Sequence, residues 1–165
     1  MNVVQELLKS FSSEKVITDN EQKAPFECDG LSAYREKPLA VVLPESVEEV
    51  KTALAICRKH QTPVISRGSG TGLSGGSLPL KDGIVLGLTK MNQILEIDPL
   101  ARTAVVQPGV RNISISQAVE SHNLYYAPDP SSQVACSIGG NVAENSGGVH
   151  CLKYGLTVHN VLSIK

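Results

Sequence analysis

Several features that the sequence lacks exclude whole classes of protein. No apolar run approaches the roughly 20 residues that cross a bilayer, which predicts no transmembrane segment. The formal net charge is only -1, so there is no electrostatic reason to expect nucleic acid or an anionic membrane as a partner. The first nine residues, MNVVQELLK, have neither a cationic start nor a long apolar centre. They predict a short amphipathic helix rather than a secretory signal.

The cysteines are too few and too scattered to form a disulfide framework or a common zinc motif. Cys28, Cys57, Cys136 and Cys151 contain no CxxC pair, and a chain of 165 residues can bury a core without covalent staples. Two histidines stand near the last two cysteines, but the spacing matches no zinc-finger pattern. We therefore predict reduced thiols, no metal site and a cytoplasmic protein.

The first half of the chain has the pattern of a βαβ unit. The apolar run at 39–43 predicts a buried strand, Ser46 and Glu49 predict a capping box that begins a helix, and 63–66 predicts a second strand. Strands joined by a helical crossover are expected to be parallel. Four apolar residues are expected on the buried face of the helix: Val47, Val50, Leu54 and Cys57.

The remainder predicts short strands, one helix and a long loop. Runs at 83–88, 93–97 and 103–107 are rich in β-branched residues, and the tight connection between the last two predicts a hairpin. A second helix is predicted from 113 to 120. The region 127–150 is expected to be a loop too long for a simple linker. A strand-like apolar run at 158–165 ends abruptly, which predicts that the domain is truncated.

Five of the 14 glycines lie within 68–76, in the stretch RGSGTGLSGG. Residues 70–75 match GxGxxG directly after a predicted strand, which is the pattern of a Rossmann dinucleotide site. The residues at 76–83 contain too many helix breakers for the helix that such a site requires, and no Lys-Ser or Lys-Thr follows to make a Walker loop. We interpret the stretch as a strand-to-strand loop whose N–H groups bind an anion. Arg67 either offsets the anion's charge or is a solvated surface residue, and a flexible Gly-Ser loop without a ligand is the alternative.

A second glycine cluster makes the flexible-loop alternative weaker. Four glycines lie within 139–148, after the motif PDPSS at 128–132. Glycine concentrated in two short stretches indicates close backbone approach. Two such loops fit a ligand as long as a dinucleotide, with the pyrophosphate on one loop and the ribityl chain and flavin ring on the other.

The combined motifs RGSGTGLSGG, PDPSS, SIGGNVAENSGG and HCLKYG resemble the FAD-binding domain of the vanillyl-alcohol-oxidase (PCMH-type) superfamily. Within it, the chain is similar to the flavin subunits of glycolate oxidases and to D-lactate and D-2-hydroxyglutarate dehydrogenases. The resemblance implies an α+β fold, with a small parallel βαβ subdomain followed by a mixed or antiparallel sheet subdomain, C-terminally truncated. It implies a helix and lead-in segment at 1–37 and an incomplete FAD-binding domain at 38–165, with the substrate domain absent.

The resemblance also implies which residues bind the cofactor. Those expected on the pyrophosphate are Arg67, Gly68, Ser69, Gly70, Thr71, Gly72 and Leu73. Those expected beside the pyrophosphate, ribityl chain and ring are Asp129, Ser131, Ser132, Ser137, Gly139, Gly140 and Asn141, and those expected near the ring are Asn145, Ser146 and Gly147. Members that attach flavin covalently carry histidine at the position of Thr71, so we predict non-covalent FAD. His150 and Tyr154 are candidates for acid–base groups, but each residue type more often has a structural role. We therefore predict no catalytic residue.

The function implied by the resemblance is oxidation of a 2-hydroxy acid, glycolate or D-lactate, by hydride transfer to FAD. Iron–sulfur subunits are expected as electron-transfer partners. Through these partners, the protein is expected to lie peripherally at the inner face of the membrane. Two alternatives stay open. One is a non-catalytic flavin-binding module or truncated product that binds FAD weakly or not at all, and the other is an anion-binding scaffold without flavin.

Overall fold

The computed structural model describes residues 1–165, which divide into two compact units, Met1–Met91 and Asn92–Lys165. Each unit has its own cluster of buried apolar side chains. The division predicted from the sequence, at residue 38, concerns the cofactor-binding domain and stays a prediction.

The first unit contains three helices and a four-stranded sheet. Its elements are helix α1 (Val3–Ser10), strand β1 (Val16–Ile17), helix α2 (Asn20–Lys23), strand β2 (Ala40–Val42), helix α3 (Val47–Lys59), strand β3 (Val64–Arg67) and strand β4 (Ile84–Gly87). The strand order is β1-β2-β4-β3, with β1 antiparallel to β2 and the other three strands parallel. The predicted βαβ unit is confirmed, and β4 lies between its two strands.

Helix α1 is amphipathic, as predicted, and belongs to the core of the first unit. Asn2 Oδ1 accepts a hydrogen bond from Gln5 N at 2.9 Å, and Gln5 Oε1 accepts one from Asn2 N at 3.1 Å. This reciprocal capping fixes the first turn. Val3 and Leu7 are buried on the inner side of α1, in one cluster with residues of β2, α3 and β4.

Helix α3 begins where the sequence predicts, and its buried face matches the prediction only in part, at Val50 and Cys57. Ser46 Oγ caps Glu49 N at 3.2 Å, while the Glu49 carboxylate accepts from Glu45 N rather than from Ser46. The predicted capping box is therefore half right. The buried residues of α3 are Ala53, Ile56 and Cys57, whereas Val47 is 58% and Leu54 45% exposed. Two overlapping sets of apolar side chains lie on adjacent sides of this helix. Tertiary packing buries the set that contains Ala53 and Ile56 rather than the set that contains Leu54.

The second unit contains a two-stranded hairpin and three helices. Strand β5 (Ile94–Asp98) pairs antiparallel with strand β6 (Thr103–Val106), which confirms the predicted hairpin. Helices α4 (Asn112–Val119), α5 (Ile138–Glu144) and α6 (Cys151–Tyr154) follow. The core is formed by Val110, Ile115 and Ile138, with partly buried side chains of the hairpin packed against it.

Two expectations for the second unit are wrong. The region 127–150 is not a continuous loop, because Ser137 caps a helix within it: its Oγ accepts from Gly140 N at 3.4 Å. Helix α5 ends at Glu144, and the C-cap residue Asn145 has a φ of 50°, which lies in the left-handed region. The run at 158–165 forms no strand, since a 3-10 turn at Thr157–Asn160 leads into residues that pair with no other strand.

Candidate functional site

The first glycine loop, residues 67–76, leaves the end of β3 and returns through irregular backbone to β4. No helix lies between these strands, so the structure confirms that the GxGxxG match is not a Rossmann site. No hydrogen bond within the chain uses the backbone N–H groups of Ser69, Gly70, Thr71 or Gly72. A row of unpaired N–H donors in a glycine-rich turn is what binds an anion without a helix.

Two carbonyl groups of this loop, those of Thr71 and Gly72, face the lead-in segment. A Cβ atom added to Gly30 would lie 2.8 Å from Thr71 O and 2.8 Å from Gly72 O. No peptide bond of the chain is cis, so the N–H that shares a peptide plane with each carbonyl points in the opposite direction. The N–H groups of Gly72 and Leu73 are therefore directed away from Gly30.

Arg67 is buried, with 7% of its surface exposed. The alternative that it is a solvated surface residue is therefore wrong. Its guanidinium donates from Nη1 to Cys28 O at 2.8 Å and from Nη2 to Pro25 O at 3.1 Å, and its Cζ lies 5.6 Å from the centre of the Phe26 ring. Burial lowers the pKa of the Arg67 guanidinium, and Cys28 and Asp29 raise it. The side chain is thus engaged within the protein.

Gly70 holds the loop against this guanidinium. Its φ of 70° lies in the left-handed region that favours glycine, and a Cβ at this position would overlap the Arg67 guanidinium. Gly70 is therefore required both by its backbone conformation and by its neighbour.

In the second glycine loop, residues 128–148, most of the glycines are explained by contacts with the chain itself. A Cβ at Gly139 would lie 2.8 Å from the Pro108 side chain, one at Gly147 would overlap Leu156, and one at Gly148 would overlap Asp129. Only Gly140 has an open side, where the nearest atom to such a Cβ is Ser137 Oγ at 3.3 Å. The glycine cluster thus reflects internal packing as well as any ligand.

The polar residues predicted in this loop are largely paired within the second unit. Asn145 Oδ1 accepts from Val158 N at 3.0 Å, and Ser146 O accepts from the Thr157 hydroxyl at 2.7 Å. Asn141 differs from them: it is 2% exposed, and its Nδ2 donor has no partner.

The two serines of the PDPSS motif stand in the turn before α5. Ser131 is exposed, and Ser132 O accepts hydrogen bonds from Ala135 N and Cys136 N, both at 2.8 Å. These bonds use the Ser132 carbonyl and not its hydroxyl group.

His150 and Tyr154 belong to a small aromatic cluster with Tyr125. His150 Nδ1 lies 2.7 Å from Asp129 Oδ2, and the ring centres of the three aromatic residues are 6.1–6.3 Å apart. A hydrogen bond with Tyr154 raises the pKa of Tyr125, and the same bond together with Lys153 lowers the pKa of Tyr154. Asp129, predicted to contact the cofactor, holds His150 in place.

The residues present fit a pyrophosphate-containing cofactor. In the first unit, the unpaired N–H groups of the loop are donors that the chain does not satisfy, and phosphate oxygens are acceptors. In the second unit, the buried Asn141 amide is a donor without a partner. Seven of the predicted residues, Arg67 to Leu73, are contiguous in the first unit, and the others lie in the second. Sequence reasoning missed the contribution of residues 25–30, for which the Asp29-Gly30 turn dipeptide is the only signal.

Comparison with known proteins places residues 38–165 within a family described as the FAD binding domain. The chain is 63% identical over 151 residues to the glycolate oxidase subunit GlcD of Escherichia coli (strain K12), covering 92% of this chain and 30% of that protein. It is 35% identical over 153 residues to the D-lactate dehydrogenase of Anaerostipes hadrus, covering 92% and 32%. Among solved structures, the 4-ethylphenol oxidase from Gulosibacter chungangensis matches with a TM-score of 0.77 and 30% identity, over 88% of this chain and 29% of that one. The chain thus spans about a third of the length of these relatives.

Proposed function

The chain belongs to the family of FAD binding domains, and from that premise we propose that it is the cofactor-binding part of an oxidoreductase of 2-hydroxy acids. The proposed substrate is glycolate or D-lactate, and the proposed cofactor is FAD held without a covalent bond. Support comes from similarity to a glycolate oxidase subunit and to a D-lactate dehydrogenase. The α+β fold predicted from the motifs is confirmed.

The observation that carries the proposal is the row of unpaired N–H donors at Ser69–Gly72. Diphosphate oxygens accept hydrogen bonds from several donors at once, and unpaired N–H groups in a glycine-rich turn are donors of this kind. We propose that the stretch Arg67 to Leu73 forms the pyrophosphate site, in which the Arg67 side chain holds the loop and the Ser69 and Thr71 hydroxyls are additional donors. Thr71 offers no imidazole for a covalent flavin link.

The second glycine loop is proposed to contact the ribityl chain and flavin ring. Asp129, Ser131, Ser132 and Ser137 precede the proposed contacts at Gly139, Gly140 and Asn141, and Asn145, Ser146 and Gly147 follow them. The open side of Gly140 and the unmatched donor of Asn141 support this assignment.

When bound, FAD supplies the acceptor for the hydride that leaves the α-carbon of the hydroxy acid. The residues of this chain bind and orient the cofactor through N–H and hydroxyl donors. We propose no catalytic residue among them, because groups that bind the substrate carboxylate are expected on a separate domain.

Partners and location belong to the same proposal. Electron transfer to iron–sulfur subunits would place the protein at the inner face of the membrane through those partners. The longest helix, α3, has 13 residues, and none of the helices is long and apolar enough to cross a membrane.

The proposal is tested by titrating the chain with FAD and following the visible absorption and emission of the flavin. We expect FAD to remain with the chain on gel filtration and riboflavin, which lacks phosphate, to be lost. A folded chain that elutes colourless refutes the cofactor assignment. Equal retention of riboflavin refutes the assignment of the first loop to the pyrophosphate, and retention without turnover favours the flavin-binding-module alternative.

A further inference from the structure

We infer that residues 25–30, the lead-in strip, are part of the cofactor site because they orient the N–H donors of the first glycine loop. In this arrangement Arg67 is a positioning residue that ties the strip to the loop, and it is not a phosphate ligand. The inference rests on the proposed function and adds to the site a segment that lies before the family match at 38–165.

The first step is the direction of the Arg67 side chain. Nη1 and Nη2 donate to the carbonyl groups of Cys28 and Pro25, and Nη1 also reaches Ser77 O at 3.5 Å. Ser77 lies just beyond the first glycine loop. The planar guanidinium of Arg67 therefore bridges the strip and the far end of the loop. A guanidinium has several donors in fixed directions, which the single ammonium group of a lysine lacks.

The second step is the charge of Arg67, which is offset inside the protein. Asp29 is 7% exposed, its Oδ1 accepts from Leu31 N at 2.9 Å, and its Oδ2 is buried without a hydrogen-bond partner. The guanidinium thus donates to main-chain carbonyl groups, and the nearby buried Asp29 carboxylate offsets part of its charge. The pyrophosphate is then left to the backbone donors.

The third step is the contact of Gly30 with the loop. The strip meets the carbonyl oxygens of Thr71 and Gly72 so closely that no side chain fits at Gly30. Because the Thr71 and Gly72 carbonyls lie against the strip, the N–H groups of Gly72 and Leu73, on the other side of the same trans peptide planes, point away from it. Preorganised donors bind more tightly than donors that must be ordered on binding.

The test compares Arg67→Lys and Gly30→Ala with the unchanged chain in FAD binding. The Kd is measured by flavin fluorescence, and melting of the flavin-free chain is followed by circular dichroism. We expect both variants to bind FAD about tenfold more weakly or worse, because each releases the loop from the strip. We expect the double variant to lose less than the two single losses combined, since both act on one contact.

Gly83→Ala is the matched control. A Cβ there would lie 2.7 Å from the Ile65 side chain and 3.2 Å from that of Leu80, so it perturbs the first unit but not the strip. We expect it to lower the melting temperature and to leave the Kd for FAD unchanged in the folded chain. The control thus separates loop positioning from a general loss of stability.

Arg67→Lys that binds FAD within threefold of the unchanged chain overturns the inference, because charge alone would then be sufficient. Gly30→Ala with an unchanged Kd also overturns it, and this variant decides the matter if Arg67→Lys does not fold. If the unchanged chain binds no FAD, the proposed function fails first and the inference fails with it. Binding by the unchanged chain with equal binding by both variants contradicts the inference alone.

Discussion

The contact between Gly70 and Arg67 predicts that Gly70→Ala is far more destabilising than the same change at Gly75. Both glycines lie in the first glycine loop with φ of 70° and 75°. A Cβ at Gly70 would overlap the Arg67 guanidinium, whereas one at Gly75 has nothing within 4 Å. The two substitutions therefore share the backbone strain and differ in the steric contact.

The magnitude follows from the two contributions. An alanine in the left-handed region costs about 1–2 kcal/mol, and this applies to both variants. Displacing Arg67 breaks its hydrogen bonds to the carbonyls of Pro25 and Cys28, and a bond to a charged donor contributes about 1.5–3 kcal/mol. We expect Gly70→Ala to lose about 2–4 kcal/mol of unfolding free energy more than Gly75→Ala, with partial relaxation of the long arginine side chain setting the lower value.

Urea unfolding followed by circular dichroism at 222 nm measures this difference. The chain has no tryptophan, so backbone ellipticity is the appropriate signal. The slope of the free energy against urea should be the same for both variants, so that the midpoints report stability alone. Equal losses for Gly70→Ala and Gly75→Ala would refute the reasoning, because strain would then explain everything and the guanidinium contact nothing.

Three further predictions concern a buried side chain and an ion pair of the first unit, and the reactivity of one thiol in each unit. Leu7→Ala should cost about 2–5 kcal/mol of unfolding free energy, because Leu7 is fully buried, while Leu8→Ala at a 43% exposed neighbour should cost little; urea midpoints compare them. The pKa of Glu6 lies below its ordinary 4.5 because of hydrogen bonds from Lys59 and His60. The charged Glu6 carboxylate therefore stabilises the fold above pH 4.5, and this stabilisation is lost as the pH falls through the lowered pKa. Glu6→Gln should make the unfolding free energy fall less steeply in acid, and an equally steep fall would contradict this. Burial raises the pKa of the Cys57 thiol, so a thiol reagent should modify the part-exposed Cys151 in the folded chain and Cys57 only after urea is added.

Apart from β1 and α2, the elements of the first unit could be predicted because local signals agree there with tertiary structure. The strand at 40–42, the cap at Ser46 and the strand at 64–67 follow from short-range patterns. The buried face of α3 could be predicted only in part, because two sets of apolar side chains on that helix are equally plausible until α1 packs against it. Tertiary contact, and not periodicity, decides between Leu54 and Ala53.

The candidate site likewise has features that the sequence predicts and features that it does not. The loop character of 67–76 follows from its glycines and the breakers after it, whereas helix α5 was missed because glycines at its first turn mask the Ser137 cap. The role of Arg67 could not be inferred from its place beside the glycines, since its acceptors lie 39 and 42 residues earlier in the chain. The predicted cofactor contacts themselves stay predictions.

The hydrogen bonds of Arg67 to main-chain carbonyls have a consequence for how this site can evolve. A bond to a carbonyl constrains the path of the backbone and leaves the side chains at Pro25 and Cys28 free to change. Gly30, where a side chain would strike the loop, is restricted in identity. Substitutions at Pro25 and Cys28 that keep the path of the backbone should therefore leave the hydrogen bonds of Arg67 in place.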